Sequence, residues 1–425
     1  MTLSLGIDIG TSACRGCVID AESRIRAETR VPLPPPERKG PAVEQDPECW
    51  WQALAETLDQ LTEMVPMASI NAITIDGTSA TLLCCDAAGI PLTPALMYND
   101  ARALSEAEQL ASIAPDDCAA HGASASLAKL LWLAQTPAGK QARYALHQAD
   151  WLLGRLGGRY GISDENNALK LGYDIIRRKW PDWLTQLNIP LSLFPEVVPA
   201  GQPIGQLSDA WCRRWGFSTG TRVISGTTDS TASFLATGAG AGEAVTSLGS
   251  TLVLKVLSAQ PVFAPGNGIY SHRLGNHWLA GGASNSGGAV LQRYFSTDEI
   301  RRLTGLLQPD RPTGLDYYPL VSAGERFPVN DPQLAPRLEP RPAEDTVFFQ
   351  GMLEGIAEIE KTGYRRLAEL GAPWPKRIIT TGGGAANSAW RTIREQRLGI
   401  PVVAAEHQEA AYGAALLAQR HRSNL

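Results

Sequence analysis

The chain has 425 residues, 44% hydrophobic and 19% charged, with a formal net charge of −5, which is the balance of an ordinary globular protein. That length exceeds what one core supports, so two or three domains are expected. No basic run exceeds three residues and no apolar stretch is long enough to span a bilayer, which argues against a nucleic-acid partner and against a membrane protein. The seven cysteines are odd in number and scattered, as in a reducing compartment, and the N-terminus has no secretory pattern. A cytoplasmic location is expected. Cys14 and Cys17 have redox spacing, but on a strand their side chains point to opposite faces, and no second pair or nearby histidine completes a site.

The first elements are a strand at Leu5–Ile9, a turn at Gly10-Thr11-Ser12, and a returning strand to Asp20. Asp8 ends the first strand and Arg15 follows the turn. Turn N–H groups can form an anion-binding concavity, and a carboxylate beside an anion makes sense when a cation lies between them. The same residues also suit a plain hairpin with a polar turn. Ile25–Val31 extends the meander, and Pro32–Pro47, rich in proline, reads as an extended loop. Asp46 and Pro47 then start a helix as N-cap and first residue, with Leu54, Leu58 and Leu61 on one face. The strand Ile70–Ile75 delivers the polar cluster Asp76-Gly77-Thr78-Ser79. Strands at Thr81–Cys85 and Pro94–Met97 lead into Tyr98-Asn99-Asp100-Ala101-Arg102, and helices follow near 103–111, 126–134 and 149–156. Asp164–Asp174 is a polar segment containing Lys170, and Val223–Ser225 is a strand ahead of Gly226-Thr227-Thr228-Asp229-Ser230 and a small-residue helix.

The run Gly238–Gly242 marks a domain boundary, giving domains at 1–237 and 238–425, with the last helix free to pack back on the first domain. The second half repeats the opening logic: strand Ala244–Ser247, turn Leu248-Gly249-Ser250-Thr251, strand Leu252–Leu257. Gly281–Gly288 reads as a glycine- and serine-rich loop before a helix, and a long helix spans about 346–370. Strand Ile378–Thr381 runs into Gly382-Gly383-Gly384 and a helix, followed by strand Pro401–Ala404 and a last helix at Glu409–Arg420. Strands and helices alternate in both halves, so the fold class is α/β.

Three polar turns at strand ends therefore stand out: 8–12, 247–251 and 382–384. Glycine lets backbone approach a ligand closely, and a helix N-terminus favours an anion. The chain has neither GxxxxGK[ST], nor the HRD and DFG pair, nor a GxGxxG after its first strand. Asp229, between a strand and a helix, is either a helix cap or a base that accepts a proton from an attacking hydroxyl.

The segments GIDIGTSACR, EQDPECWW, YNDAR, ADWLLGRLGG, GTTDS, TSLGST, GER and TTGGGAANSAW occur in the order seen in the FGGY carbohydrate kinases, and the chain resembles that family over nearly its whole length. Within it, DGTSATLLCCD, SLAKL, NALKLGYD, GTTDSTASFLATGA, EAVTSLGSTLVLK and GLDYYPL resemble the short cyanobacterial and plant D-ribulose kinases. The resemblance implies two actin-like, ribonuclease H-like ATPase domains with a nucleotide and sugar cleft between them. It implies ATP and Mg²⁺, a ketopentose acceptor, most specifically D-ribulose, and a monomer or homodimer. By position, Asp8 would hold Mg²⁺ through water and take part in catalysis and sugar binding. Gly10, Thr11, Ser12 and Arg15 would meet the transferring phosphate, with Thr11 also catalytic. Asp229 would be the base on the sugar hydroxyl. Gly249, Ser250 and Thr251 would form a second phosphate hairpin. Gly288, Gly383, Gly384 and Asn387 would line the nucleoside site, with Trp390 either its wall or core packing. Thr78, Ser79 and Asn99 would face the sugar. Residues 76–79 carry neither the Gln-x-His nor the Met-His-Gly sequence of xylulokinases. Xylulose, ribitol and glycerol stand as alternative acceptors, and a non-catalytic actin-like sensor as a reading from another class.

Overall fold

The computed structural model describes residues 2–420 and resolves into two compact units, residues 2–236 with 409–420, and residues 237–408. In the first unit, the sheet runs Pro203–Gln206, Arg222–Ile224, Ile70–Gly77, Leu3–Ile9, Ala13–Ile19, Ile25–Pro32, and Thr227–Thr228 also pairs with Ile70–Gly77. Leu3–Ile9 pairs antiparallel with Ala13–Ile19 but parallel with Ile70–Gly77. Every residue of Leu3–Ile9 is buried, as expected for a strand covered on both faces. Helix Pro47–Thr62 packs near one face and helix Ala410–Arg420 against the other. Asp46 caps the first of these, accepting from the Glu48 N–H, with Pro47 in the first turn.

The sheet of the second unit runs Tyr270–Leu274, His277–Ser284, Leu252–Ser258, Glu243–Leu248, Arg377–Thr381, Val402–Ala404. Glu243–Leu248 pairs antiparallel with Leu252–Ser258 and parallel with Arg377–Thr381, repeating the senses of the first unit. In each sheet the parallel strands end on one edge, where ligand-binding loops gather in open α/β sheets.

The last helix, which the sequence left free to pack back, groups with the first unit. Ala410–Arg420 lies directly on backbone there: a Cβ on Gly413 would stand 1.8 Å from the Ala232 carbonyl oxygen, and one on Gly6 would stand 2.1 Å from the Ala415 nitrogen. Tyr412 Oη donates to the Ser23 carbonyl at 3.0 Å, and Gln419 Nε2 donates to that of Asp20 at 2.8 Å. Two expectations are corrected. Pro32–Pro47 is not all loop: Glu37–Lys39 and Ala42–Gln45 are strands of a five-stranded sheet with Ala95–Leu96, Leu82–Cys85 and Tyr144–His147. Both short strands lie in the gaps between the prolines, where every residue can donate to a ladder. Gly281 and Gly282, expected in a loop, belong to strand His277–Ser284. A Cβ on Gly282 would stand 2.6 Å from the Phe327 ring, so this glycine makes room for an aromatic side chain.

Candidate functional site

In the first unit the parallel register sets Asp8 beside Asp76 and Asp76 beside Thr227, and Asp229 opens the helix Asp229–Ala236 just beyond. Three carboxylates thus gather at one sheet edge. Asp8 and Asp76 are buried and Asp229 is half-buried. Burial raises the Asp8 carboxyl to about 6; Arg15 opposes that rise and Asp229 adds to it. Asp76 is driven well above the ordinary carboxylate range, first by burial and then by the charges of Asp8 and Asp229. Asp76 does not anchor its own turn: neither of its oxygens meets a donor among the described residues. Asp76 is therefore the member of the set on which burial bears hardest, with Asp8 as its side-chain neighbour.

Such a set suits a hard cation. Among the described residues no cluster of three or more ligating side chains forms a cage. A magnesium ion that keeps most of its waters and leans on one or two carboxylates matches Asp8 with Asp76 or Asp229. Arg15 folds back on the strand end, its Nη1 donating to Asp8 Oδ2 at 2.9 Å, with its Nε 3.7 Å from Glu409 Oε2. The turn Gly10-Thr11-Ser12 is tightened by the Gly10 N–H, which donates to the Ala13 carbonyl at 3.1 Å. Thr11 is half-buried and Ser12 exposed at its tip. Asp229 Oδ1 accepts from the N–H of its chain neighbour Ser230 at 2.6 Å.

Beside these carboxylates, Thr78 turns into the fold. It is buried, its hydroxyl 2.5 Å from Thr81 Oγ1 and donating to Gln148 Oε1 at 2.9 Å. Its hydroxyl is thus taken up inside the fold, while Ser79 is half-buried. Asn99 keeps a buried Oδ1 that has no partner among the described residues. Two residues that sequence reasoning passed over join these segments. Lys129, fully buried, donates to the carbonyls of Ala80 at 2.8 Å and Met97 at 2.7 Å. Burial pushes its ammonium down to about 7 against the pull of Asp100. The signal was available as a single lysine inside the apolar helix Ser126–Gln135. Gln148 is the other, and nothing in its sequence setting marks it. Lys170 is half-buried and depresses Lys129 further. The polar segment at 163–167 is buried, with Asn166 Nδ2 donating to Thr227 Oγ1 at 3.1 Å.

In the second unit the hairpin Gly249-Ser250-Thr251 is tied to the start of helix Gly288–Tyr294: Gly288 N–H donates to the Gly249 carbonyl at 2.8 Å and Ala289 N–H to that of Ser250 at 3.1 Å. Gly382 has φ +81°, and its N–H is held by Gln408 Oε1 at 2.9 Å. A 3-10 turn, Gly383–Ala386, separates it from helix Ser388–Leu398, which was expected to follow directly. These loops enclose a cavity of about 600 Å³ lined by Gly249, Ser250, Gly288, Gly383, Gly384 and Asn387, with apolar walls from Leu291, Ile300, Phe349 and Trp390. Its size, greasy walls and glycine rim suit a nucleoside with its phosphates toward the hairpin. Thr251 lies outside it. Asn387 caps the helix by accepting from the Trp390 N–H at 2.9 Å. Trp390 serves core and wall together: it is buried, and its indole N–H donates to the Leu353 carbonyl at 3.1 Å.

Among the described residues, no helix is long and apolar enough to cross a membrane, and all seven cysteines are free thiols. Two family models match the chain: the N-terminal domain of the FGGY family of carbohydrate kinases over residues 3–236, and its C-terminal domain over residues 244–421. A xylulose kinase of Escherichia coli (strain K12) is 26% identical over 92% of this chain and 83% of its own length. A gluconokinase of Bacillus subtilis (strain 168) is 23% identical over 97% and 86%. Among solved structures, a xyloylose kinase from Brucella ovis superposes with a TM-score of 0.90 at 23% identity, covering 100% of this chain and 91% of that one. The glycerol kinase of Plasmodium falciparum with ADP does so with a TM-score of 0.86 at 18% identity, over 100% and 90%.

Proposed function

The chain belongs to the FGGY family of carbohydrate kinases, and from that premise we propose that it transfers the γ-phosphoryl group of ATP to the terminal hydroxyl of a ketopentose, D-ribulose, yielding D-ribulose 5-phosphate. The observation that carries the kinase reading is the carboxylate set at one sheet edge, where a base, Asp229, stands beside the buried pair Asp8 and Asp76. The cavity of the second unit supports ATP as the donor, as does the ADP named with the Plasmodium glycerol kinase. For the sugar, support comes from Asp76-Gly77-Thr78-Ser79, which departs from the xylulokinase pattern. D-xylulose is the second reading, favoured by the xylulose kinases among the relatives.

In this reading Asp229 accepts the proton of the attacking hydroxyl, and Ser79 and Asn99 orient the sugar. Thr11, Ser12 and the N–H groups of their turn receive the transferring group, and Gly249, Ser250 and Thr251 hold the nucleotide's phosphates. The chemistry is mostly positioning and charge neutralisation, so preorganised donors matter more than covalent help. Magnesium, held by Asp8 through water, would supply the charge that offsets the phosphates. Free thiols are in keeping with action in the cytoplasm, and the reading takes the chain to act as a monomer or homodimer.

The test is a panel of D-ribulose, D-xylulose, ribitol, glycerol and gluconate ranked by kcat/KM in a coupled ADP-release assay. D-ribulose is expected to lead by about tenfold or more, since hydrogen-bonding sites reject analogues that leave them unpaired. A higher value for D-xylulose replaces the acceptor, and no turnover with any sugar or polyol returns the chain to a sensor role. The nucleoside site has its own check. A Cβ on Gly384 would stand 2.7 Å from both Leu248 Cβ and Trp390 Cζ3. Gly384→Val is expected to raise the KM for ATP about tenfold or more while the KM for sugar stays unchanged. Equal changes in both would place the nucleoside elsewhere.

A further inference from the structure

Gln148 is the first residue of helix Gln148–Gly157 and is fully buried. Its Oε1 accepts from the Thr78 N–H at 3.0 Å and from Thr78 Oγ1 at 2.9 Å. A backbone N–H can only donate, so the oxygen of the amide must face Thr78 and the orientation of the side chain is decided. Its backbone is equally fixed. His147 N–H donates to Asp150 Oδ2 at 3.1 Å, and His147 Nε2 lies 3.0 Å from Ser126 Oγ, closing a buried network around the start of the helix. Gly77 leaves room for the amide, since a Cβ there would stand 3.0 Å from Gln148 Oε1.

With the oxygen committed, Gln148 Nε2 is left buried with no acceptor among the described residues. Buried polar groups are almost always paired, so an N–H₂ held rigidly without a partner calls for an explanation. The explanation has to include its surroundings. Thr78 follows Asp76 and Gly77 on the strand whose end sits beside Asp8. Asn99, whose Oδ1 is likewise buried and unpartnered, is held to the same neighbourhood through Lys129, which bridges Ala80 and Met97. A fixed donor beside the strand of Asp76 and an unmet acceptor on a segment tied to that strand's end are complementary to the hydroxyls of a sugar, each of which donates and accepts.

We infer that Gln148 binds the sugar directly, its Nε2 donating to one hydroxyl of the ketopentose other than the one phosphorylated. The inference rests on the sugar-kinase reading above. Thr78 and Lys129 are then positioning residues, the first setting the amide and the second setting the segments around it.

The experiment compares wild type with Gln148→Glu, which keeps an oxygen for Thr78 and turns the donor into an acceptor. D-ribulose and its 1-, 3- and 4-deoxy analogues are the substrates. Gln148→Glu is expected to lower kcat/KM for D-ribulose about tenfold or more through the sugar KM, with the ATP KM unchanged. For the one analogue that lacks the recognised hydroxyl, the two proteins should give equal kcat/KM. The same factor lost on every sugar, or a matching rise in the ATP KM, overturns the inference and leaves Gln148 a structural residue. If Gln148→Glu does not fold, Gln148→Met, which lacks the oxygen that holds Thr78, is read by the sugar series alone: a loss confined to sugars that carry the recognised hydroxyl supports the contact, and one common to all sugars overturns it. If wild type turns over D-xylulose and not D-ribulose, the acceptor assignment fails on its own, and the deoxy series of xylulose reads Gln148 independently.

Discussion

Asp229→Ala is expected to lower sugar phosphorylation about 10²- to 10⁴-fold, the range for removing a positioned general base, while ATP binding stays near the wild-type value. The residue opens a helix, and its bond to the Ser230 N–H is local to the helix start, comparable at most to a cap. Losing a cap costs about 1 kcal/mol of stability, so the variant should fold and melt slightly earlier. That separation makes the result decisive. Turnover measured by ADP release and nucleotide binding measured by calorimetry should part company by orders of magnitude. Retention of wild-type turnover would strip Asp229 of the base role and leave it a cap. Asp229→Asn sharpens the comparison, because the amide keeps an oxygen for the Ser230 N–H but cannot take a proton.

Asp8→Asn should show two effects of opposite sign. Sugar turnover is expected to collapse together with the magnesium dependence of nucleotide binding. Without metal, the same variant is expected to be more stable than wild type above neutrality. Burial raises the Asp8 carboxyl to about 6 from its ordinary 3.8. A raised carboxylate contributes stability that is full below its unfolded value and lost as pH rises through the folded one. The wild type therefore gives up about 2–3 kcal/mol between roughly pH 4 and pH 7 at this site, and the amide does not. Thermal melts at pH 4, 6 and 8, with and without magnesium, check both statements. Wild type should gain most from the metal at pH 8, where Asp8 is ionised, and the variant should gain little at any pH. Equal magnesium stabilisation of both proteins would remove Asp8 from the metal site. By the same sign, activity should fall as pH drops below about 6, since a protonated Asp8 cannot face a cation.

Much of the fold was legible because its signals are local. Gly10-Thr11-Ser12 between two apolar runs specifies a hairpin, Asp46-Pro47 specifies a helix start, and the spacing of Phe349, Leu353, Ile356 and Leu367 specifies one long helix, observed at Asp345–Glu369. The errors arose where a residue type has two uses. The prolines at 32–47 hid two short strands, and Gly282 serves a close contact with Phe327 instead of a turn.

By itself the sequence determined the α/β class, the duplicated hairpin, the turn at the first strand end, and the glycine rim of the second unit, because strand, turn and cap preferences act within a few residues. What only the tertiary structure decided is the set of partners. Asp8, Asp76 and Asp229 become neighbours through strand register across more than two hundred residues of chain. The last helix joins the first unit because Gly6 and Gly413 let it lie on backbone, and that fit is invisible until both surfaces exist. Lys129 and Gln148 read as ordinary helix residues until burial removes water and leaves their polar atoms to find partners within the protein. Desolvation has no signature in a string of residues: it turns Asp8 from a carboxylate after a strand into a group that ionises near 6.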